Sequence, residues 1–385
     1  MIDFKGWFTH IAKQYRTHQN ADLSLDEHWE KYQDRFKKIT IGCSFAPDLV
    51  EQMYLLENGV KNVSVEQKLA VLKVLIHEFG LKDIRLGIKW NKVVDAHGKF
   101  DFSYYHPFLD YCLTHDVQIC LNVGPIKTFG WPEEHIPKQI IDKSSLILGS
   151  KIYFNSEMAK NALAYLDILL LHLKSSYSKE QLKNMVIIQP ENEQFNIYGK
   201  LKLRLSEEYI SQVIKKIYAI FPDKKILLSS AETRNTFQIA KFIKKIINEE
   251  KINGSNFICG INYYYNLPHY IHLPKIGPID YITYSNFVQR KTNYANIRTA
   301  RKLGYQIEVT EAQFEQWGRA HLSPGNSFHE AKYLFARIAE NILDPQEGGL
   351  IRLWGLERYA KKKIENSLTQ DHKDNLKLIQ RINRK

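Results

Sequence analysis

What most constrains this chain is an alternation. Eight short, apolar, β-prone runs recur along it, interleaved with longer segments of helical spacing. The runs are ITIGCSFA (39–46), KDIRLGIKW (82–90), VQICLNVG (117–124), MVIIQ (185–189), KILLSSAE (225–232), NFICGINYYY (256–265), YQIEVTEAQ (305–313) and GLIRLWGLE (349–357). The helical patterns include VEQKLAVLKVLIHEFG (65–80), YYHPFLDYCLTHD (104–116), SEMAKNALAYLDILLLHLKSSY (156–177), SEEYISQVIKKIYAIF (206–221), NTFQIAKFIKKIINEE (235–250) and HEAKYLFARIAENIL (329–343). Strands this apolar suit a parallel sheet covered on both faces. Eight strand–helix units predict closure into an α/β (β/α)8 TIM barrel rather than an open sheet.

Residues 1–36 read as an N-terminal helical extension, with Trp7, Phe8, Ile11 and Tyr15 at helical spacing. They are expected to plug or flank a single barrel domain over 37–385. A ninth run, IDYITYSNF (279–287), follows the sixth with no helix between. It is assigned to a long loop after strand six, not to the barrel.

Composition excludes several function classes. The net charge of +12 is spread through helical segments, with no stripe of alternating basic and aromatic residues. No nucleic-acid partner is expected. The longest apolar stretch, ALAYLDILLLHL (162–173), is broken by Asp167 and His172 and is too short to span a bilayer. With no continuous apolar block near residue 1, a cytoplasmic protein with no membrane partner is expected. The 4 cysteines form no CxxC pair. No cluster has metal-ligand spacing, and GxGxxG, P-loop, HExxH and GxSxG motifs are absent, so neither a metal nor a cofactor is expected.

In a barrel of this kind, chemistry sits at the C-terminal ends of the strands. Two ends carry acids where a core strand needs none: Glu191-Asn192-Glu193 after the fourth run, and Glu311 in the seventh. Strands four and seven face each other across an eight-stranded barrel. Paired carboxyls across a cleft are what glycosidic-bond hydrolysis requires, one to protonate the leaving oxygen and one to attack or to activate water.

QPENEQF (189–195) resembles the Q-x-E-N-E stretch of β-galactosidases in the clan A (β/α)8 retaining glycoside hydrolases. ICLNVGPIKTFGWPE (119–133) resembles the third-strand segment lining their sugar site. VTEAQFEQWG (309–318) is similar to the T-E-L-Q-x-E-P-W motif of a poorly characterised bacterial branch, with Ala312 in place of Leu and Gln316 in place of Pro. The resemblance implies a retaining β-glycosidase with Glu193 as acid/base and Glu311 as nucleophile. It further implies that Arg85 holds Glu311 charged, that Asn192 bonds the sugar 2-hydroxyl, that Tyr264 touches the nucleophile, and that Trp354 forms a sugar platform. Asn122 and Trp131 are expected beside them on the carbohydrate.

Structural roles compete at each position. Glu193 is also placed as a helix N-terminal charge, Arg85 as a plain salt-bridge residue, the tryptophans as core, and Asn122 as a loop cap. Glu191 is expected to lie behind the reacting groups. Glu308 is expected to face away from Glu311 and to pair with a Lys or Arg. A non-catalytic carbohydrate-binding barrel, and a TIM-barrel lyase or hydrolase of another class, remain as alternatives.

Overall fold

The computed structural model describes residues 34–383, except 131, 198, 232, 251, 265, 274–276, 285–296, 315–327, 345 and 347. The expected extension over 1–36 lies almost wholly outside the described residues.

Eight parallel strands close a barrel: β1 (Ile39–Phe45), β2 (Asp83–Gly87), β3 (Gln118–Asn122), β4 (Met185–Gln189), β5 (Lys225–Ser230), β6 (Phe257–Tyr263), β7 (Gln306–Gln313) and β8 (Gly349–Trp354). Each pairs with its neighbours in sequence, and β8 closes on β1 with Ile41 opposite Ile351. The expected (β/α)8 architecture is therefore the observed one.

The helices begin where local chemistry starts them. Ser64 accepts from the Gln67 N–H while the Gln67 side chain accepts from the Ser64 N–H, a reciprocal cap on helix Val65–Lys73. Ser156 and Ser206 cap helices Glu157–Ser176 and Glu207–Ile220 in the same N-cap position, satisfying amide donors that the first turn leaves free. The helices' apolar faces pack on the outward strand residues. Ile41, Cys43, Ile84, Leu121, Ile188, Leu228 and Val309 all fall in this continuous core.

The inward residues form a separate set. Cys120, Ile187, Leu227 and Ile258 make a small apolar plug inside the barrel. Beside it Arg352 on β8 bridges Asp83 on β2 at 2.7 Å and Glu308 on β7 at 2.9 Å, all three buried. Gly42 on the intervening β1 lets this ion triad pass, since a Cβ there would meet Asp83 O at 2.5 Å.

Several expectations are revised. Glu308 does find an arginine, but it does not face away from Glu311. The register of β7 slips between Val309 and Glu311 against β6 and between Val309 and Ala312 against β8, so a β-bulge at Thr310 brings both glutamates to the barrel interior. The run after β6 is not a loop throughout. Asn266–Leu273 and Gly277–Tyr284 pair antiparallel as a two-stranded hairpin outside the barrel. A helix the sequence reading passed over, Pro47–Asn58, follows β1 directly, with Pro47 at its first turn and Gly59 in the left-handed conformation ending it. Among the described residues no helix is long and apolar enough to cross a membrane.

Candidate active site

The C-terminal mouth of the barrel is organised around Arg85. Its guanidinium is fully buried and makes a different bond with each nitrogen. Nε donates to Gln189 Oε1 at 2.8 Å, Nη1 to Glu311 Oε1, and Nη2 to Asn192 Oδ1 at 2.7 Å. Phe129 lies under the guanidinium, 4.2 Å from its carbon to the ring centroid. One side chain from β2 therefore fixes the end of β4 to the end of β7.

Glu311 has both oxygens held, Oε1 by Arg85 and Oε2 by the Tyr264 hydroxyl. The β7 bulge sets Glu311 opposite Asn262 on β6. Asn262 then reaches the second glutamate: its Nδ2 donates to Glu193 Oε1 at 2.5 Å, and its Oδ1 accepts from Thr310 Oγ1 at 2.6 Å. Glu193 and Glu311 are thus connected by two short bridges, one through Asn262 and Thr310, the other through Asn192 and Arg85.

Glu193 sits at φ 43°, a left-handed conformation uncommon for a residue with a Cβ. Ser229 on β5 holds it there. The Ser229 hydroxyl accepts from the Glu193 N–H at 3.1 Å and from Gln189 Nε2 at 2.8 Å. The turn begun at Pro190 bends the chain so that Glu193 enters the mouth while Glu191 points behind it. Glu191 accepts from the Lys127 and Ile126 amides and from the Tyr209 hydroxyl at 2.8 Å. It ties the loop after β3 to the loop after β4.

The two glutamates of the mouth have unlike surroundings. Burial pushes the Glu193 carboxyl well above the usual range, and the nearby charges of Glu133 and Glu311 push the same way, opposed by the Asn262 bond and Lys127. Glu311, by contrast, is ion-paired with Arg85. Tyr264 is also driven up, first by burial and then by Glu311, so its phenol stays a hydrogen-bond donor.

Of the residues singled out in the sequence, Glu193, Glu311, Arg85, Asn192 and Tyr264 come together. Trp354 ends β8 in a small apolar cluster with Phe129 and Ala46 at the mouth, its ring edge-on to Phe129 at 5.9 Å. Asn122 is fully buried, with Nδ2 donating to Gln189 O and Oδ1 accepting from Phe129 N. Both ends of its amide are engaged by backbone groups of the protein. Trp131 and Glu232 lie outside the described residues. Gln189, Ser229 and Asn262 were not singled out as site residues. Their signal was present, because each is a polar residue at an inward position of an otherwise apolar strand.

No protein-family model matches the chain, and no curated protein does. Solved structures do resemble it. A fungal β-1,4-galactanase matches at 13% identity and TM-score 0.54, over 89% of this chain and 99% of that one. An exo-β-1,4-mannosidase from Opitutaceae bacterium strain TAV5 matches at 14% identity and TM-score 0.52, over 90% of this chain and 60% of that one. A broad-specificity endoglucanase from Clostridium longisporum matches at 12% identity and TM-score 0.50, over 90% and 97%. At these identities the likeness is one of fold.

Proposed function

We propose that the protein is a retaining β-glycosidase of the clan A type, with Glu193 as general acid/base and Glu311 as nucleophile. The observation that carries this reading is the pair of glutamates from β4 and β7, joined through Arg85 and Asn262 yet set in opposite environments. Glu193 is buried and faces other acids, which favours its protonated form. Glu311 is bonded by a guanidinium on one oxygen and a phenol on the other.

Such a pair can break a glycosidic bond in two displacements. Glu193 protonates the departing oxygen as a Glu311 oxygen attacks the anomeric carbon. Glu193, now ionised, then takes a proton from the water that releases the sugar from the glycosyl–Glu311 ester. Arg85 and Tyr264 fix the orientation of the attacking carboxylate before substrate arrives. Asn192 Oδ1 is taken by Arg85, which directs its amide N–H groups toward the sugar, where the 2-hydroxyl is the expected acceptor. Trp354 offers an aromatic platform and Trp131 a further wall. No step calls for a metal or an organic cofactor, and among the described residues no acid, His or Cys cluster is arranged to hold a metal ion.

A panel of aryl β-glycosides tests the reading, with the anomer of the released sugar followed by NMR. Retention is expected. A 2-deoxy-2-fluoro glycosyl fluoride should label Glu311, located by peptide mass spectrometry, and Glu311→Gln should remove both labelling and turnover. Inversion, or a label on any other residue, overturns the assignment.

A further inference from the structure

The loop between β3 and helix Lys138–Lys143 carries a third acid into the mouth, one that the two-glutamate reading does not use. Glu133 sits at φ 66°, so two glutamates of this region, Glu133 and Glu193, share a backbone conformation disfavoured for side chains of their size. The conformation is built in. Glu133 N–H donates to Gly130 O at 2.8 Å, Thr128 N–H donates to Glu133 O at 3.0 Å, and Lys127 and Glu134 pair as an antiparallel bridge. The residue as a whole is half-buried, yet its Oε2 is buried with no hydrogen-bond partner among the described residues. A buried carboxylate oxygen without a donor is costly, and native sites that keep one give it a task.

Its surroundings narrow the task. Lys127, Glu311, Glu134 and Arg85 are the charged groups that act on Glu133, and Glu133 together with Glu311 and Lys127 acts on Glu193. The cations nearby are matched already: Arg85 by Glu311, Lys89 by Asp48, while the Lys127 ammonium donates to Asn196 O at 2.5 Å. What Glu133 lacks is a donor from outside the described protein.

Resting on the glycosidase reading above, we propose that Glu133 is a substrate-contacting residue of this site, its open oxygen accepting from a hydroxyl of an uncharged sugar bound between Glu193 and Glu311. Its second effect is on the acid/base. Burial and the charges of Glu311 and Glu134 lift the Glu133 carboxyl to about 7, with Lys127 opposing, and Glu133 heads the charged groups that raise Glu193. A uronic acid would place another carboxylate among these acids and is selected against.

The test uses the full chain, a series of monodeoxy aryl β-glycosides, and two variants. Glu133→Leu removes the acceptor. It should raise KM about tenfold on the parent sugar and make no difference on the one deoxy substrate that lacks the partner hydroxyl. Glu133→Gln keeps shape and an acceptor oxygen but removes the charge. It should move the basic limb of the kcat/KM profile to lower pH, which a merely structural role would not do. Unchanged KM in Glu133→Leu, a penalty equal on every deoxy substrate, or an unmoved basic limb in Glu133→Gln each overturns the proposal. The controls separate the two readings: turnover that survives in Glu311→Gln strikes the assignment of Glu311 as nucleophile, and a parental protein that neither cleaves nor binds any sugar of the series sinks both.

Discussion

Arg85 offers the most demanding perturbation. Replacing it by Met keeps the stem's length and its packing on Phe129 but withdraws three directed bonds, to Gln189, Asn192 and Glu311. Glu311 is then a carboxylate with 5% of its side chain exposed and no cation. Breaking a buried ion pair from one side costs about 3–5 kcal/mol, because the remaining charge is left desolvated. Unfolding entropy near 2.1 cal/mol/K per residue amounts to about 0.8 kcal/mol/K for a chain of this length, so the thermal midpoint should fall by about 4–6 °C. Turnover should fall much further, since the fork also fixes Glu311 and the Asn192 next to Glu193, the two proposed reacting carboxylates, and a loss of positioning can cost about 100-fold. Arg85→Lys separates charge from geometry. An ammonium can neutralise Glu311 but cannot reach three acceptors in one plane, so stability should recover in good part while kcat stays low. Calorimetry with kcat on an aryl β-glycoside gives both readouts. A lysine variant with near-parental kcat, or a methionine variant as stable as the parent, would refute the claim that this guanidinium organises the mouth.

Glu193→Gln should trade activity for stability in a pH-dependent way. The folded-state affinity of Glu193 for its proton is raised, so the native state carries a proton that the unfolded chain gives up above about pH 4.3. That raises the cost of folding as pH increases, and the variant should melt higher than the parent at pH 8 and alike at pH 4; the reverse order in a fluorimetric melt would count against the assignment. Ser229→Ala should orphan the buried Glu193 amide, costing about 1–3 kcal/mol, with a loss in kcat visible in steady-state kinetics, while Gln189 Nε2 keeps Glu191 O and Asn192 Oδ1 as acceptors. Arg352→Met should destabilise by about 3–5 kcal/mol, read by denaturant titration, while kcat of the folded fraction changes little, because the Asp83–Arg352–Glu308 triad lies below the mouth.

The barrel was legible because each strand is a short, mainly apolar run and three of the helices announce their start with a serine, at Ser64, Ser156 and Ser206. MVIIQ and GLIRLW appear in the fold with nearly the bounds their residues suggest. The helix at Pro47–Asn58 was missed because its apolar positions follow β1 without a break in pattern. Glu311 and Glu193 were found by position, at strand ends where acids have no packing role. The residues that hold them were harder to see. Ser229 and Gln189 look like ordinary strand polars until the closed barrel turns them toward one another. The bonds that hold Asn122 were not legible either, because its partners, Gln189 O and Phe129 N, are backbone groups that no side-chain pattern announces. Glu133 was not singled out, since a left-handed φ at a glutamate leaves no trace in the letters around it.

The slip at Thr310 makes the direction of Glu311, the proposed nucleophile, a matter of spacing rather than identity. Two acids three positions apart on a regular pleat look to opposite sides, and here they share one side only because an extra residue advances the phase. A strand that kept every letter but ran through this point without the slip would put Thr310 opposite Asn262 and turn Glu311 out into the helical layer, away from the guanidinium. The centre therefore depends on one irregularity of the backbone as much as on the carboxylate that the irregularity aims.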